Sequence, residues 1–203
     1  MVNSYGILKQ SDQETNENLH FENFIRKGFT VFDKMIDTQE IEKLCEDLEL
    51  IYKKQNTSFK EGLDLINDKN IARSLLNFSI SFLGFATDQR LLSFMSQLLG
   101  EYFIIHLQNG VINKPSKDHH QASWHRDIPY QNLTSSKSLA VSAFLCLDDF
   151  TKNNGGTVLL PYSQKFDNFP SDKFVEENEL QIQAPKGSVI IFDSMLFHRS
   201  GFN

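Results

Sequence analysis

The sequence predicts one domain in which helices pack outside an antiparallel β-sandwich or jelly roll. Two observations carry that reading. Helical periodicity, with its caps, is confined to the first half of the chain. From residue 102 onward, short apolar runs alternate with turn-forming clusters, which is the texture of an all-β half. The length of 203 residues agrees with a single domain spanning 1–203. A chain of that size buries roughly 70% of its unfolded surface, enough to hold a core without staples. No repeat, Pro-rich linker or second composition zone divides it.

The polar run of residues 11–18 predicts a loose N-terminal segment over about residues 1–20. Gly28–Phe32 reads as a short extended piece. Asp37, with Glu40 three residues on, forms a capping box. Ile41, Leu44, Leu48 and Ile51 then follow at helical steps and make one apolar stripe. Glu42, Lys43, Glu46, Asp47 and Glu49 take the wet side. Two more helices are predicted near 69–83 and 88–99. The second has Asp88 as cap, Leu91, Met95, Leu98 and Leu99 inward, and Gly100 as stop. Six strands are predicted after them: Tyr102–Val111, Ala122–Ile128, Leu139–Leu147, Thr157–Leu160, Leu180–Ala184 and Ser188–Phe192. Turn chemistry at 113–115, 153–156, 170–172 and 185–187 separates them.

Composition excludes several classes. Apolar residues are 40% and charged residues 23%, a globular balance rather than a disordered one. The net charge of −6 argues against nucleic acid, whose phosphates call for a basic stripe. Residues 1–20 lack the apolar core of a signal peptide. The most hydrophobic stretch, Leu75–Phe85, is interrupted by Asn77, Ser79 and Ser81 and is shorter than the ~20 apolar residues of a membrane span. A soluble, cytoplasmic protein is expected, acting on a small molecule, with no nucleic-acid or membrane partner. The oligomeric state is not legible. Cys45 and Cys146 lie in no Cys-x-x-Cys pattern and read as two reduced thiols.

Chemistry concentrates at His125-Arg126-Asp127. In a strand, residues two apart share a face, so His125 and Asp127 project together and Arg126 points away. An imidazole beside a carboxylate can take two adjacent positions on a metal. His198, just past the Ser188–Asp193 run, is the best supplier of a third. Two histidines and one carboxylate leave positions open and suit non-haem Fe(II) chemistry with O2. The competing reading is a hydrogen-bonded His–Asp pair with His198 on the surface. Among the other histidines, His20 belongs to the polar leader. His119 and His120 sit in a surface loop, and His106 reads as a satisfied core histidine. Asp148 and Asp149 are adjacent and point to opposite faces, so they cannot flank one bond as a glycosidase pair does. There is no Gly-rich phosphate loop and no Gly-x-Ser-x-Gly elbow.

Four stretches together resemble the phytanoyl-CoA dioxygenase family of Fe(II)/2-oxoglutarate-dependent oxygenases. They are Phe24–Phe29 with the capped helix behind it, Ile112–Pro115 with Trp124–Asp127, Leu147–Phe150 through Asn154–Thr157 to Pro161, and Pro185–Ser188 through His198 to Asn203. The resemblance implies a double-stranded β-helix, the cupin-like jelly roll, with iron held by His125, Asp127 and His198. It implies 2-oxoglutarate and O2 as cosubstrates, with ascorbate as a further candidate. Hydroxylation of a small organic substrate would accompany decarboxylation of 2-oxoglutarate to succinate. Halogenating relatives lack the metal carboxylate, so Asp127 favours hydroxylation. Ser200 matches a cosubstrate-contacting serine, and Phe144 an aromatic lining the cosubstrate pocket, although core packing explains Phe144 equally well.

Two departures from the family pattern stand out. Pro161-Tyr162-Ser163-Gln164 replaces the family's Pro-Gly-Ser-His. Relatives also carry, beyond the distal histidine, an arginine that pairs with the far carboxylate of 2-oxoglutarate, the natural work of a bidentate guanidinium. Five residues follow His198 here, and Arg199 is expected to point away from the metal. The sequence therefore reads as truncated at its C-terminus, lacking the last strand, and is expected to bind 2-oxoglutarate weakly unless Lys114 or Lys137 substitutes. The alternatives are a degenerate member that binds a metabolite or partner, and a cupin-like metal isomerase or hydrolase.

Overall fold

The computed structural model describes residues 15–58, 70–115, 120–128 and 133–203. Most of the expected loop of His119 and His120, including both imidazoles, lies outside them, as does most of the polar leader. The leader's last residues correct the sequence reading. They begin a helix, α1 (Asn16–Lys27), which the Thr15 hydroxyl caps by accepting the Asn18 N–H at 3.2 Å. Its polar surface hid a single anchoring stripe: Phe24 is buried and Phe21 packs against the same core. Gly28 ends the helix at φ 87°. A side chain there would meet the Gln164 amide and Leu196 at 2.6–2.7 Å, so glycine answers both the backbone and the space.

The expected extended piece is β1 (Phe29–Phe32). The capped helix is α2 (Thr38–Ser58), with Asp37 Oδ1 accepting the Gln39 N–H at 2.8 Å. Ile41, Leu44, Leu48 and Ile51 are all buried, as the stripe requires. No long helix covers the described part of 69–83, residues 70–83. β2 (Ile71–Arg73), a 3-10 turn (Leu75–Asn77) and α3 (Ser81–Ala86) stand there instead. The apolar run pairs with β3 (Asn109–Val111), and Ser74 takes a left-handed conformation that stops any helix through it. α4 (Gln89–Leu99) matches expectation, with Asp88 as cap and Gly100 as stop. Of the expected strand 102–111, only β3 forms. Tyr102 and Ile104 are 94% and 85% exposed, and His106 is exposed rather than a core histidine.

The β-half comprises β4 (Val141–Leu145), β5 (Val158–Leu159), β6 (Leu180–Gln181), β7 (Val189–Asp193) and β8 (His198–Arg199). An unpredicted helix, α5 (Asp172–Asn178), precedes β6. The sheets run β1-β7-β4, β2-β3 and β6-β5-β8. β7 is the central strand, antiparallel to both neighbours. Its alternation divides the interior. Val189 and Ile191 face the helical core of α1, α2 and α4, while Ile190 and Phe192 face Cys146, Leu159, Ile182 and Leu196. All four are fully buried, each worth about 1.5–3 kcal/mol relative to exposure. Cys146 lies in this second cluster, where burial pushes its thiol up to about 12. Among the described residues no helix is long and apolar enough to cross a membrane.

The cap of α4 gives a direct test. Asp88 Oδ1 accepts the N–H groups of Arg90 and Leu91 at 2.9 and 3.3 Å. Oδ2 pairs with the Arg90 guanidinium at 2.6 Å, and that hydrogen bond leads the set that holds the carboxyl below its usual range. Asp88→Ala is expected to cost about 1 kcal/mol at pH 7. A carboxyl depressed in the folded state stabilises fully above its unfolded value of about 3.9, and that contribution fades as pH falls through the folded value. The gap between wild type and variant in urea unfolding should therefore be complete at neutral pH and close in acid. A gap that persisted at pH 2 would show that the cap is not the cause.

Candidate metal centre

His125 and Asp127 do not lie in the expected strand 122–128. A 3-10 turn covers His120–Ala122, and beyond it a single antiparallel bridge joins His125 to His198. The expected geometry survives because the backbone is pinned at each position. His125 and His198 exchange N–H···O bonds, both at 3.0 Å, and the Asp127 N–H donates to the Ser194 carbonyl at 3.0 Å. His198 sits in β8 opposite Leu159 of β5. One donor atom from each of His125, Asp127 and His198 lies within 4.8 Å of the others. That is slightly wider than the ~3–4 Å expected of ligands closed on a metal at ~2.1 Å.

The tautomers follow from the partners. His125 Nδ1 is 2.8 Å from the Ser123 carbonyl, and His198 Nδ1 is 3.0 Å from the Leu196 carbonyl. A carbonyl only accepts, so both Nδ1 atoms carry a proton, and in the neutral rings each Nε2 presents a lone pair. His198 Nε2 is buried without a hydrogen-bond partner, yet it lies 3.3 Å from Asp127 Oδ1. The contact is close but falls short of a hydrogen bond. Two acceptors facing each other at that distance repel unless a proton or a metal cation lies between them. The donor set of two imidazole Nε2 atoms and a carboxylate oxygen, with a buried orphan among them, fits a divalent metal.

Neighbouring residues fix these groups. The Ser142 hydroxyl donates to Asp127 Oδ2 and also contacts the Ser194 hydroxyl at 3.0 Å. Burial disfavours the Asp127 carboxylate, but in the metal-free cluster a protonated His198 beside it, the Ser142 hydroxyl and a protonated His125 outweigh burial and hold its pKa below the usual value. A third of the Asp127 side chain is exposed, so the cluster opens to solvent on that side. Phe192 and Phe144 wall the His198 ring, with centroids at 4.7 and 6.2 Å. Phe144 and Ser142 are two residues apart on β4 and face the site together. Phe144 thus lines the cluster and also packs against Phe192 at 4.8 Å. Ser200 lies two positions past His198, half-buried, with its N–H on the Gln121 carbonyl at 2.7 Å.

Other candidates fall elsewhere. Arg199 faces outward to Glu179 at 3.0 Å and stacks on Trp124 at 5.1 Å, as expected. Lys114 stands over the Tyr52 ring at 5.2 Å, and Lys137 is exposed. His20 is no loose-leader residue. Its ring stacks on Phe32 at 3.9 Å and bonds the Thr30 hydroxyl at 2.8 Å. Sequence reasoning missed Ser142 and Ser194. The Ser-x-Phe alternation in β4 was the available signal, but which partner it met required the fold.

The phytanoyl-CoA dioxygenase (PhyH) family profile matches residues 24–203. Uncharacterized proteins of Mycobacterium bovis and Mycobacterium tuberculosis are each 27% identical over 183 residues, covering 87% of this chain and 66% of theirs. The chain thus spans about two thirds of the length of these curated relatives. EctD from S. alaskensis, solved with 2-oxoglutarate and 5-hydroxyectoine, is similar at TM-score 0.75 and 18% identity, over 96% of this chain and 73% of that one. AviO1 from Streptomyces viridochromogenes Tue57 is similar at TM-score 0.70 and 18% identity, over 93% of this chain and 88% of that one.

Ser142→Ala tests the electrostatics of the cluster. Without that hydroxyl, the Asp127 carboxyl of the metal-free protein should titrate at higher pH than in wild type. Carboxyl-carbon NMR across an acid titration reads this directly. An unmoved Asp127 titration would mean that the serine does not stabilise the ionised form.

Proposed function

The chain belongs to the phytanoyl-CoA dioxygenase family, and on that premise we propose that it is a non-haem Fe(II)/2-oxoglutarate-dependent oxygenase that hydroxylates a small organic substrate. The observation that carries this is the convergence of His125, Asp127 and His198 with a buried, unpartnered Nε2 among their donors. In this reading His125 Nε2, the Asp127 carboxylate and His198 Nε2 hold the iron. When bound with 2-oxoglutarate, that iron supplies O2-dependent oxidation, coupling decarboxylation to succinate with hydroxylation of the substrate.

The chain's own residues prepare the site. The carbonyls of Ser123 and Leu196 hold the imidazoles in the tautomer that presents Nε2. The Ser142 hydroxyl orients Asp127 and favours its ionised form, so the carboxylate is ready to bind a cation. Phe144 and Phe192 keep water from the inner side of His198, which strengthens the electrostatics there. Ser200 and Phe144 are the residues we assign to the cosubstrate. Arg126 and Arg199 both face away from the cluster, so neither is the cation for its far carboxylate. We read β1-β7-β4 and β6-β5-β8 as facing walls of a jelly roll, and place the protein in the cytoplasm with its two thiols reduced.

Anaerobic loading with Fe(II), followed by O2 and 2-oxoglutarate, should release succinate, slowly without the organic substrate. Asp127→Ala removes the one anionic group among the three protein ligands and should lower succinate release at least a hundredfold, about 2.7 kcal/mol in barrier. Wild-type turnover by that variant would refute the mechanism.

A further inference from the structure

We propose that Arg126 is a positioning residue of the metal centre, holding all three ligand-bearing backbones in register from the opposite face. The proposal rests on the reading of His125, Asp127 and His198 as metal ligands. Because His125 and Asp127 face the metal cluster, the side chain between them points the other way, onto Phe197 of the buried cluster of Leu160, Val175 and Phe197. Arg126 is only 7% exposed there. Its Nε donates to the Met195 carbonyl at 2.8 Å. Nη1 donates to Asp167 O at 3.3 Å. Nη2 donates to Ser163 O at 3.2 Å and also to Phe166 O. The guanidinium lies 4.0 Å from the centre of the Phe197 ring.

These contacts close on one another. The Ser163 hydroxyl accepts the Phe197 N–H at 2.8 Å, so the turn that the guanidinium grips is itself bonded to the residue before His198. Met195 belongs to the connection between β7 and β8, one residue from Ser194, whose carbonyl accepts the Asp127 N–H. Displacing Arg126 therefore disturbs a neighbour of each ligand at once. It is covalently next to His125 and Asp127, and its stacking partner is covalently next to His198. A planar fork of five donors can serve four carbonyls in fixed directions while lying flat on a ring. A lysine ammonium cannot.

The test compares metal binding with stability in the full chain. Arg126→Lys keeps charge and stem, and Arg126→Gln keeps a donor. Leu160→Ala opens the same buried cluster but removes none of the arginine's hydrogen bonds. Co(II) is titrated anaerobically, with its ligand-field spectrum and the urea midpoint recorded for each. Both arginine variants should fold, bind Co(II) about 10–100-fold more weakly, as loss of outer support for metal ligands does, and show shifted ligand-field bands. Leu160→Ala should lose stability but keep the wild-type bands. Wild-type affinity and bands in the arginine variants would overturn the proposal. So would the same changes in Leu160→Ala, or failure of both arginine variants to fold, since either makes Arg126 a general fold residue. A wild type that takes up no Co(II) would instead overturn the metal-centre reading beneath it.

Discussion

The reciprocal pair of backbone hydrogen bonds between His125 and His198 is the constraint on which the site depends. It ties an irregular segment from the middle of the chain to a two-residue strand near its end, and so brings distant ligands to one place. The rest of the molecule keeps that bridge in position. β8 is held by β5, and β7 delivers the turn whose Ser194 carbonyl fixes Asp127. β7 is itself immobilised by complete burial between two apolar clusters. The helices of the first half contribute by covering one face of β7, which lets that strand be apolar on both sides.

Local signals were legible where they were strong and self-contained. The Asp88 cap, the stripe of α2 and the Gly100 stop each depend on a few adjacent residues and formed as read; of the Asp37–Glu40 capping box, the Asp37 carboxylate caps, but through the Gln39 N–H. That Arg126 and Arg199 point away from the metal cluster followed from alternation alone. Readings failed where tertiary pairing decided. Ile71–Arg73 has the apolar content of a helix, but it meets β3 and becomes a strand. Residues 102–107 have strand-forming side chains, but among the described residues no strand is paired with them and they stay irregular. The polar face of α1 outweighed its one buried Phe24 to the eye but not to the fold. The i, i+2 logic for His125 and Asp127 gave the right neighbours although the strand it assumed is absent, because backbone hydrogen bonds pin those two residues individually.

The cluster is poorly explained as ordinary core chemistry. Two imidazole lone pairs and a carboxylate oxygen converge beside phenylalanine rings, and one of the nitrogens is buried without a partner. Leaving a buried polar group unsatisfied typically costs about 1–3 kcal/mol. Hydrophobic residues of similar volume would have packed there more favourably. A bound cation removes the repulsion and satisfies all three groups together. The cost of holding these groups together without a cation and an affinity for metal would be one property seen from two sides.

The most direct test of this account is anaerobic Fe(II) titration of the wild type beside His125→Ala, Asp127→Ala and His198→Ala, with the stability of each metal-free protein measured in parallel. The account predicts one iron per wild-type chain and binding lost in every variant, including variants whose metal-free fold is retained; His198→Ala also loses core packing and the Leu196 hydrogen bond, so its metal-free stability is expected to fall. Undiminished iron binding by His198→Ala would contradict it, because the buried nitrogen on which the site is built would then have no part in holding the metal.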